Sequence, residues 1–324
     1  MKKLKNNSQY YQKDIDIVDS EARILTGFLC NNRCIFCIEG DRPKYNRKFK
    51  AIKKNLDEAK EKSVSLISFC GGELSIHKDI FKLFEYCHKL KFEEVVIATN
   101  ARMFYYDWFT DKFVDRCVYH DMKTKMVFSY HAHKSEIHDP LCSINNGFSQ
   151  AITGIKKLFR KLKDEKKDKS VYGSQNLVIN RFNYKYLSEI VRFTHSFGLI
   201  KHIQFINILP YESAEKSFKK LVPKINQVLP YVKEAIKDSK KIGINLYIEQ
   251  MPFCLFKEYK DNISELLDGR IFSEFDIENI NRSSYKFPEC KECKYYLNCP
   301  GVSNTYKQYF GTSHLKKHIS PYSK

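Results

Sequence analysis

Hydrophobic and polar positions along this chain alternate in two rhythms. Short runs rich in β-branched and aromatic residues, at 24–28, 64–69, 94–99, 125–130, 175–179 and 202–208, read as buried strands. Between them lie longer segments, 49–62, 78–90, 103–117, 147–162 and 184–197, whose apolar positions recur every three or four residues. Ile80, Phe81, Phe84, Cys87 and Leu90 fall on one helical stripe, and Phe148, Ile152, Ile155 and Leu158 on another. Strands joined by helical segments predict an α/β fold, a parallel sheet with crossover helices. In such sheets the loops at the carboxyl ends of the strands carry function. Residues 1–20 are polar and aperiodic and are expected to form a flexible arm. Beyond Pro210 the rhythm changes: 217–240 reads as helical with breaks at Pro223 and Pro230, 244–248 as one more strand, and the rest as a polar, cysteine-bearing tail. The expected organisation is an arm over 1–20, the main α/β unit over 21–243 and a small lobe over 244–324.

The loops after these strands hold the reactive side chains. Cys30-Asn31-Asn32-Arg33-Cys34-Ile35-Phe36-Cys37 follows the first strand, and a tight loop of this spacing can turn three thiolates toward one point. Converging thiolates mean iron–sulfur or zinc chemistry, and three ligands rather than four leave a position open. Cys70-Gly71-Gly72-Glu73 follows the second strand, the histidines His131, His133 and His138 the fourth, and Asn180-Arg181-Phe182-Asn183 the fifth. A second cysteine group, Cys254 with Cys290, Cys293 and Cys299, has the four thiols that a closed site requires, whether a cluster or structural zinc. Cys87, Cys117 and Cys142 have no metal-ligand neighbours at useful spacing and read as small buried hydrophobes. Phe104, Tyr105, Tyr106, Trp108 and Phe109 are spaced for burial between helix and sheet, with a base-stacking platform as the lesser reading.

Composition narrows the setting. Of 11 cysteines, seven belong to the two groups, which explains them without disulfides. No apolar run approaches the ~20 residues needed to cross a bilayer, and the first residues have no hydrophobic centre, so the expectation is a cytoplasmic protein without a membrane partner. The formal net charge of +18 rests on lysines scattered along the chain and interleaved with acids, as on a solvated surface. Nucleic acid is the sharper but less favoured reading of that charge.

Cys30-x3-Cys34-x2-Cys37 after a first strand, with Gly71-Gly72-Glu73 after a second, resembles the radical S-adenosylmethionine superfamily over residues 23–208. The resemblance implies a partial (β/α)6 TIM-like barrel in which Cys30, Cys34 and Cys37 bind a [4Fe–4S] cluster. The free iron of that cluster chelates S-adenosylmethionine, and reductive cleavage gives a 5′-deoxyadenosyl radical that abstracts a substrate hydrogen. By the same resemblance Phe36 lies near the cofactor adenine, Gly71, Gly72 and Glu73 near its methionine amino group, and Ser129, with Asn180 as a second polar position, near its ribose. Glycine suits a chain that approaches a ligand closely. Cys70 stands where a small hydroxyl or apolar residue is more usual, and no proline follows Glu73. Cys254, Cys290, Cys293 and Cys299 resemble the cysteine-rich extensions called SPASM and twitch, which implies a second, auxiliary [4Fe–4S] cluster in the C-terminal lobe. Cys70, His131 and His133 are the candidate catalytic side chains. The implied partners are an electron donor such as flavodoxin or ferredoxin and a peptide or small-molecule substrate. Peptide or protein modification is the expected activity. Oxidation or rearrangement of a sugar or nucleoside, RNA modification, and a structural metal-binding role are the alternatives.

Overall fold

In the computed structural model, residues 13–210, 212–267 and 284–322 are described. Eight strands hydrogen-bond in sequence order: β1 (Ile15–Val18), β2 (Glu21–Leu25), β3 (Leu66–Cys70), β4 (Glu94–Thr99), β5 (Lys123–Phe128), β6 (Val171–Ile179), β7 (Ile200–Asn207) and β8 (Asn245–Glu249). From β2 to β8 every pairing is parallel, and β1 adds antiparallel to β2 at one edge. Among the described residues no ladder joins β8 back to β1 or β2, so the sheet is an open barrel wall.

The helices explain which strand face is dry. α1 (Phe49–Glu61), α2 (Ile80–Lys89), α3 (Asp107–Cys117), α4 (Ser135–Cys142), α5 (Gly147–Asp164) and α6 (Leu187–His195) fill the crossovers. Two short helices, α7 (Glu212–Lys216) and α8 (Phe218–Leu221), lead into α9 (Ile225–Ile242) before β8. Ala22, Ile24, Ile67, Phe69, Val95 and Ile97 alternate along their strands and are buried under the helices with Leu56, Leu83, Phe84 and Phe113. A second core joins β6–β8 to α6 and α9 through Leu177, Ile203, Phe205, Val232 and Ile236.

Several expectations change. Ile15–Val18 is a strand rather than part of a loose arm, because its register opposite Ala22 and Ile24 lets it complete the sheet edge. Arg47 fastens the chain just before it: buried, it ion-pairs with Asp14 (2.8 Å) and donates to Asn55 Oδ1 (2.9 Å). β8 pairs with β7, and Phe287, Val302, Tyr306 and Leu315 share the core of α9, so a boundary at 244 cuts through one packed unit. Pro223 lies in a break, whereas α9 runs through Pro230, held by Val228, Leu229 and Val232 on its buried face. Phe104 and Phe109 are buried as expected, but Tyr105 (39% exposed), Tyr106 (45%) and Trp108 (59%) face outward. The 3-10 turn at Arg102–Tyr105 and the fresh start of α3 at Asp107 rotate them off the core-facing stripe.

One polar network crosses this apolar packing. Tyr130 Oη donates to Thr194 Oγ1 (2.8 Å), Thr194 donates to Gln175 Oε1 (2.7 Å), and Gln175 Nε2 donates to the Tyr130 carbonyl (2.9 Å). All three residues are essentially inaccessible to solvent, so each bond leaves an unpaired group if its partner is lost. Gln175→Leu is expected to lower stability by about 1–3 kcal/mol in denaturant titration with little change in m-value.

Candidate functional site

The segment leaving β2 is clasped on both sides by main chain. Phe28 and Leu29 donate to the Tyr45 carbonyl (2.8 and 3.0 Å), and Arg47 donates to Thr26 O (2.9 Å). On the other side Gly72 donates to Gly27 O (2.7 Å) and Glu73 to Leu29 O (2.8 Å). A Cβ on Gly72 would lie 2.1 Å from Leu29 O, and one on Gly71, at φ +114°, 2.2 Å from Gly27 O. These glycines are therefore required by contact between the two loops, before any ligand is considered.

Glu73 ties this clasp to β4. Its Oε1 accepts from Ser75 N–H (3.0 Å) and Thr99 Oγ1 (2.7 Å), and its Oε2 from Asn100 N–H (2.6 Å). Burial pushes the carboxyl pKa up, while the hydrogen bonds from Asn100, Ser75 and Thr99 oppose that rise. Asn100 and Arg102, at the carboxyl end of β4, then reach the cysteine loop. Asn100 Nδ2 donates to Asn31 Oδ1 (2.7 Å). Arg102 Nη1 donates to Asn31 O (2.6 Å) and Asn32 Oδ1 (2.8 Å), and its Nε to Gln150 Oε1 (2.7 Å). The sequence reading did not single out Asn100 or Arg102 for this work. The available signal was their place directly after a strand, in the same position as the other site loops.

Cys30, Cys34 and Cys37 line one open cavity of about 310 Å³ at the carboxyl ends of the strands. With them are Phe36, Gly71, Gly72, Glu73, Ser129 and His131, so most of the expected site residues are brought together. Ala98 to Asn100, Asn176, Val178 and Ile206 to Leu209 close the wall. Asn32 N–H points at Cys30 Sγ and Glu39 N–H at Cys37 Sγ, each at 3.4 Å. Burial first, and then Glu73 and the neighbouring thiols, push the Cys30 pKa up to about 12; burial pushes Cys37 up to about 11. Three soft donors that repel one another as thiolates, two of them met by amide N–H groups, suit a multiply charged iron–sulfur centre.

The remaining candidates divide. His131 is buried, edge-on to Phe36 at 4.7 Å between centroids. Its Nδ1 accepts Val178 N–H (3.3 Å), and burial lowers its pKa to about 3, so the neutral ring carries its proton on Nε2. His133 does not line the cavity; its ring lies against Tyr186 at 5.6 Å. His138 is in α4 rather than in a loop. Cys70 is outside the cavity lining, and burial pushes its thiol up to about 12, the opposite of an activated nucleophile. Asn180 is also absent from the lining: its Oδ1 accepts Phe182 N–H and its Nδ2 donates to Val178 O, so its amide is spent within the turn after β6.

Cys254, Cys290, Cys293 and Cys299 line a second, enclosed cavity walled by Phe253, Phe287, Tyr295 and Tyr322. Burial pushes the Cys299 thiol up to about 12 and raises Cys254 and Cys290, the other cysteines of the group adding to each rise. Among the described residues no three His, Cys, Asp or Glu side chains gather tightly enough to hold a single metal ion.

A parallel α/β sheet with a three-cysteine loop after β2 and a Gly-Gly-Glu after β3 defines the class. The family model described as the radical SAM superfamily matches residues 24–193 of the 324, and the chain belongs to that superfamily of enzymes, which use a [4Fe–4S] cluster and S-adenosylmethionine. Among curated proteins, the S-adenosylmethionine-dependent nucleotide dehydratase RSAD2 of Oncorhynchus mykiss is 33% identical over 84 residues, 25% of this chain and 24% of that protein. Among solved structures, Streptococcus suis SuiB bound to S-adenosylmethionine aligns with TM-score 0.58 at 18% identity, over 88% of this chain and 73% of SuiB. SuiB bound to its precursor peptide SuiA aligns with TM-score 0.55 at 21% identity, over 80% of this chain and 54% of that one. This chain thus spans about half of SuiB in the peptide-bound structure and about a quarter of the dehydratase. The structural likenesses establish a shared fold. No helix among the described residues is long and apolar enough to cross a membrane.

Arg102, with Asn100 beside it, holds the cysteine loop from outside it. Arg102→Met is expected to lower the iron retained per chain after anaerobic reconstitution, with the far-UV circular dichroism unchanged. Full iron retention with wild-type lability to chelator is the contrary result.

Proposed function

We propose that this radical SAM enzyme modifies a peptide, with Cys30, Cys34 and Cys37 holding the [4Fe–4S] cluster that binds S-adenosylmethionine. The observation that carries the reading is the single cavity in which those thiols, Phe36, Gly71 to Glu73, Ser129 and His131 face one another. When bound, the cluster and S-adenosylmethionine supply an adenosyl radical that takes a hydrogen atom from the substrate. The protein's part is to position and exclude water. Phe36 and the Gly71–Gly72 main chain shape the walls, and the neutral His131 offers Nε2–H as a donor to a cofactor or substrate acceptor. The open mouth of the cavity and the fold shared with SuiB, a protein solved with a precursor peptide bound, support a peptide substrate.

The C-terminal cysteines form a second site in this reading. Cys254, Cys290, Cys293 and Cys299 hold an auxiliary [4Fe–4S] cluster that takes up an electron or holds the substrate. Four thiols lining one enclosed cavity are the complement a cluster needs, and the resemblance of this group to the SPASM and twitch extensions favours a cluster over one zinc ion. Cys254 follows directly on the sheet that carries the first site, so the lobe runs from the end of β8 onward. A low-potential electron donor of the flavodoxin or ferredoxin type completes the system, in the cytoplasm.

A second reading, action on a nucleotide-like small molecule, is favoured by the 33% identity to a nucleotide dehydratase over 84 residues. Anaerobic incubation with S-adenosylmethionine and a reductant separates the cases. A peptide encoded beside this gene should increase 5′-deoxyadenosine release and lose hydrogen by mass spectrometry; stimulation by nucleotides alone would favour the second reading. Cys30→Ala, Cys34→Ala and Cys37→Ala should each abolish 5′-deoxyadenosine formation. Cys290→Ala with Cys293→Ala should lower iron content while leaving some cleavage, and iron retained in full would remove the second cluster.

A further inference from the structure

The cavity that holds the first cysteine group has two unlike sides. One is made by the three cysteines, Phe36 and the Gly71–Glu73 turn. The other is made by β6 and the end of β7, through Asn176, Val178 and Ile206 to Leu209. Leu177, Ile179, Ile203 and Phe205 are buried in the core under α6 and α9, so strand alternation turns Asn176, Val178, Gln204 and Ile206 to the cavity face of the sheet. Asn176 pairs in register with Gln204, and Val178 with Ile206. The two carboxamides therefore form one row, on strands about 4.8 Å apart, and the two aliphatic side chains form the next. Gln204, beneath Ile206, has its Nε2 shut off from solvent and without a hydrogen-bond partner among the described residues. Buried amide donors are as a rule met by an acceptor. Asn207 gives its Nδ2 to Gln250 O, so Asn176 is the carboxamide this side offers from within the strand. No charged side chain belongs to the stretch of lining that β6 and β7 supply. Among the described lining residues Lys44 is the one lysine or arginine; it follows β2, and its Nζ donates to Glu39 O (3.0 Å).

We propose that the β6–β7 side is the specificity wall for the substrate and takes an uncharged, aliphatic residue of a peptide. Asn176 holds a backbone amide of that residue, and Val178, Ile206 and Leu209 hold its side chain. The inference rests on the reading that the cysteine side holds the cluster and S-adenosylmethionine, which leaves this side to the substrate. A carboxamide carries a donor and an acceptor, as a peptide group does, so Asn176 can pair with both the C=O and the N–H of a peptide unit. Gln204 adds an unsatisfied donor to the same row, where a substrate carbonyl removes the cost of leaving it bare. A methyl-bearing side chain gains by burial against Val178 and Ile206, whereas a charged one loses its hydration on a wall that offers no opposite charge. The phosphates of a nucleotide call for several cations, and this lining supplies Lys44 alone from the far side.

The test uses the full chain, reconstituted anaerobically, with S-adenosylmethionine and no reductant, and reads binding by saturation-transfer-difference NMR. The probes are the N-acetyl methylamides of leucine, lysine and aspartate, which share one backbone, and ribonucleoside triphosphates, each alone. The leucine probe should bind about tenfold more tightly than the lysine and aspartate probes, with its methyl protons most strongly saturated. Asn176→Ala should weaken the leucine probe about tenfold at unchanged iron content and circular dichroism. Ile206→Asp should move the preference from the leucine to the lysine probe, a gain that misfolding cannot imitate. Asn176→Asp, close to the native shape, gives a second reading of the same swap. Equal affinity for the three amino-acid probes overturns the proposal, and so does a leucine probe that neither Asn176→Ala nor Ile206→Asp disturbs. Triphosphate binding that is lost in Asn176→Ala overturns it in favour of a nucleotide substrate. The underlying reading fails separately: if S-adenosylmethionine leaves the electron paramagnetic resonance spectrum of the reduced protein unchanged, the cysteine side does not hold the cofactor, and the division of the cavity falls with it.

Discussion

The structure depends on one close contact, the packing of the chain leaving β2 between the strand-like segment at 45–47 and the turn at 70–73. Gly27, at φ +120°, would place a Cβ 2.3 Å from Tyr45 O, and Gly71 and Gly72 would meet Gly27 O and Leu29 O at similar distances. No side chain larger than hydrogen fits at any of the three. Because the contact is made by main-chain carbonyls and amides, it cannot relax by a change of rotamer. It sets where Cys30 begins and therefore where the cysteine loop opens. Glu73 extends the same contact to the next strand by accepting from Thr99 and Asn100, so β2, β3 and β4 end in one rigid edge.

That edge holds groups that oppose one another. The Cys30 and Cys37 thiols resist ionisation because they are buried and because the neighbouring thiols, with Glu73 or Glu39 beside them, add negative charge. In the proposed reading, replacing those protons with metal would reverse the balance, which would couple cluster assembly to completion of the loop. The surrounding bonds show how the loop stays in place meanwhile. Arg102 grips Asn31 O and Asn32 Oδ1, and the end of α4 accepts from Arg33 and Ile35. The protein thus spends hydrogen bonds on the residues between the cysteines and leaves the sulfurs facing the cavity.

What the sequence displayed follows from this. The strands β2 to β7 were legible because each is a β-branched run buried under a helix, and the cysteine and glycine motifs because their residues are neighbours in the chain. β1 was hidden, since a four-residue strand among charges has no periodicity long enough to register. α4 was hidden by its internal Pro140 and by His138, which reads as loop together with His131 and His133 before it. Asn100, Arg102 and Cys142 act on residues some 70 to 110 positions away, and nothing in their local context announces such a partner. Asn180 fails in the opposite direction: a polar residue after a strand serves a turn as readily as a ligand, and here the turn uses every atom of its amide.

The two cysteine sites also share a frame. Asn207, in the cavity wall at the end of β7, donates to Gln250 O at 3.2 Å, and Gln250 N–H donates to Glu265 Oε1 at 2.7 Å. Gln250 adopts φ +63°, which turns the chain sharply off β8 toward Cys254 four residues on. Below that turn, Asn262 Nδ2 donates to Leu246 O inside β8 at 2.8 Å, and Phe253 and Phe256 are buried in the core of α9. Asn207 and Gln250 therefore link the wall that faces the first cysteine group to the segment that leads to the second. The parallel sheet, rather than a flexible tether, joins them, and the strand order β7 to β8 makes the second site an extension of the first.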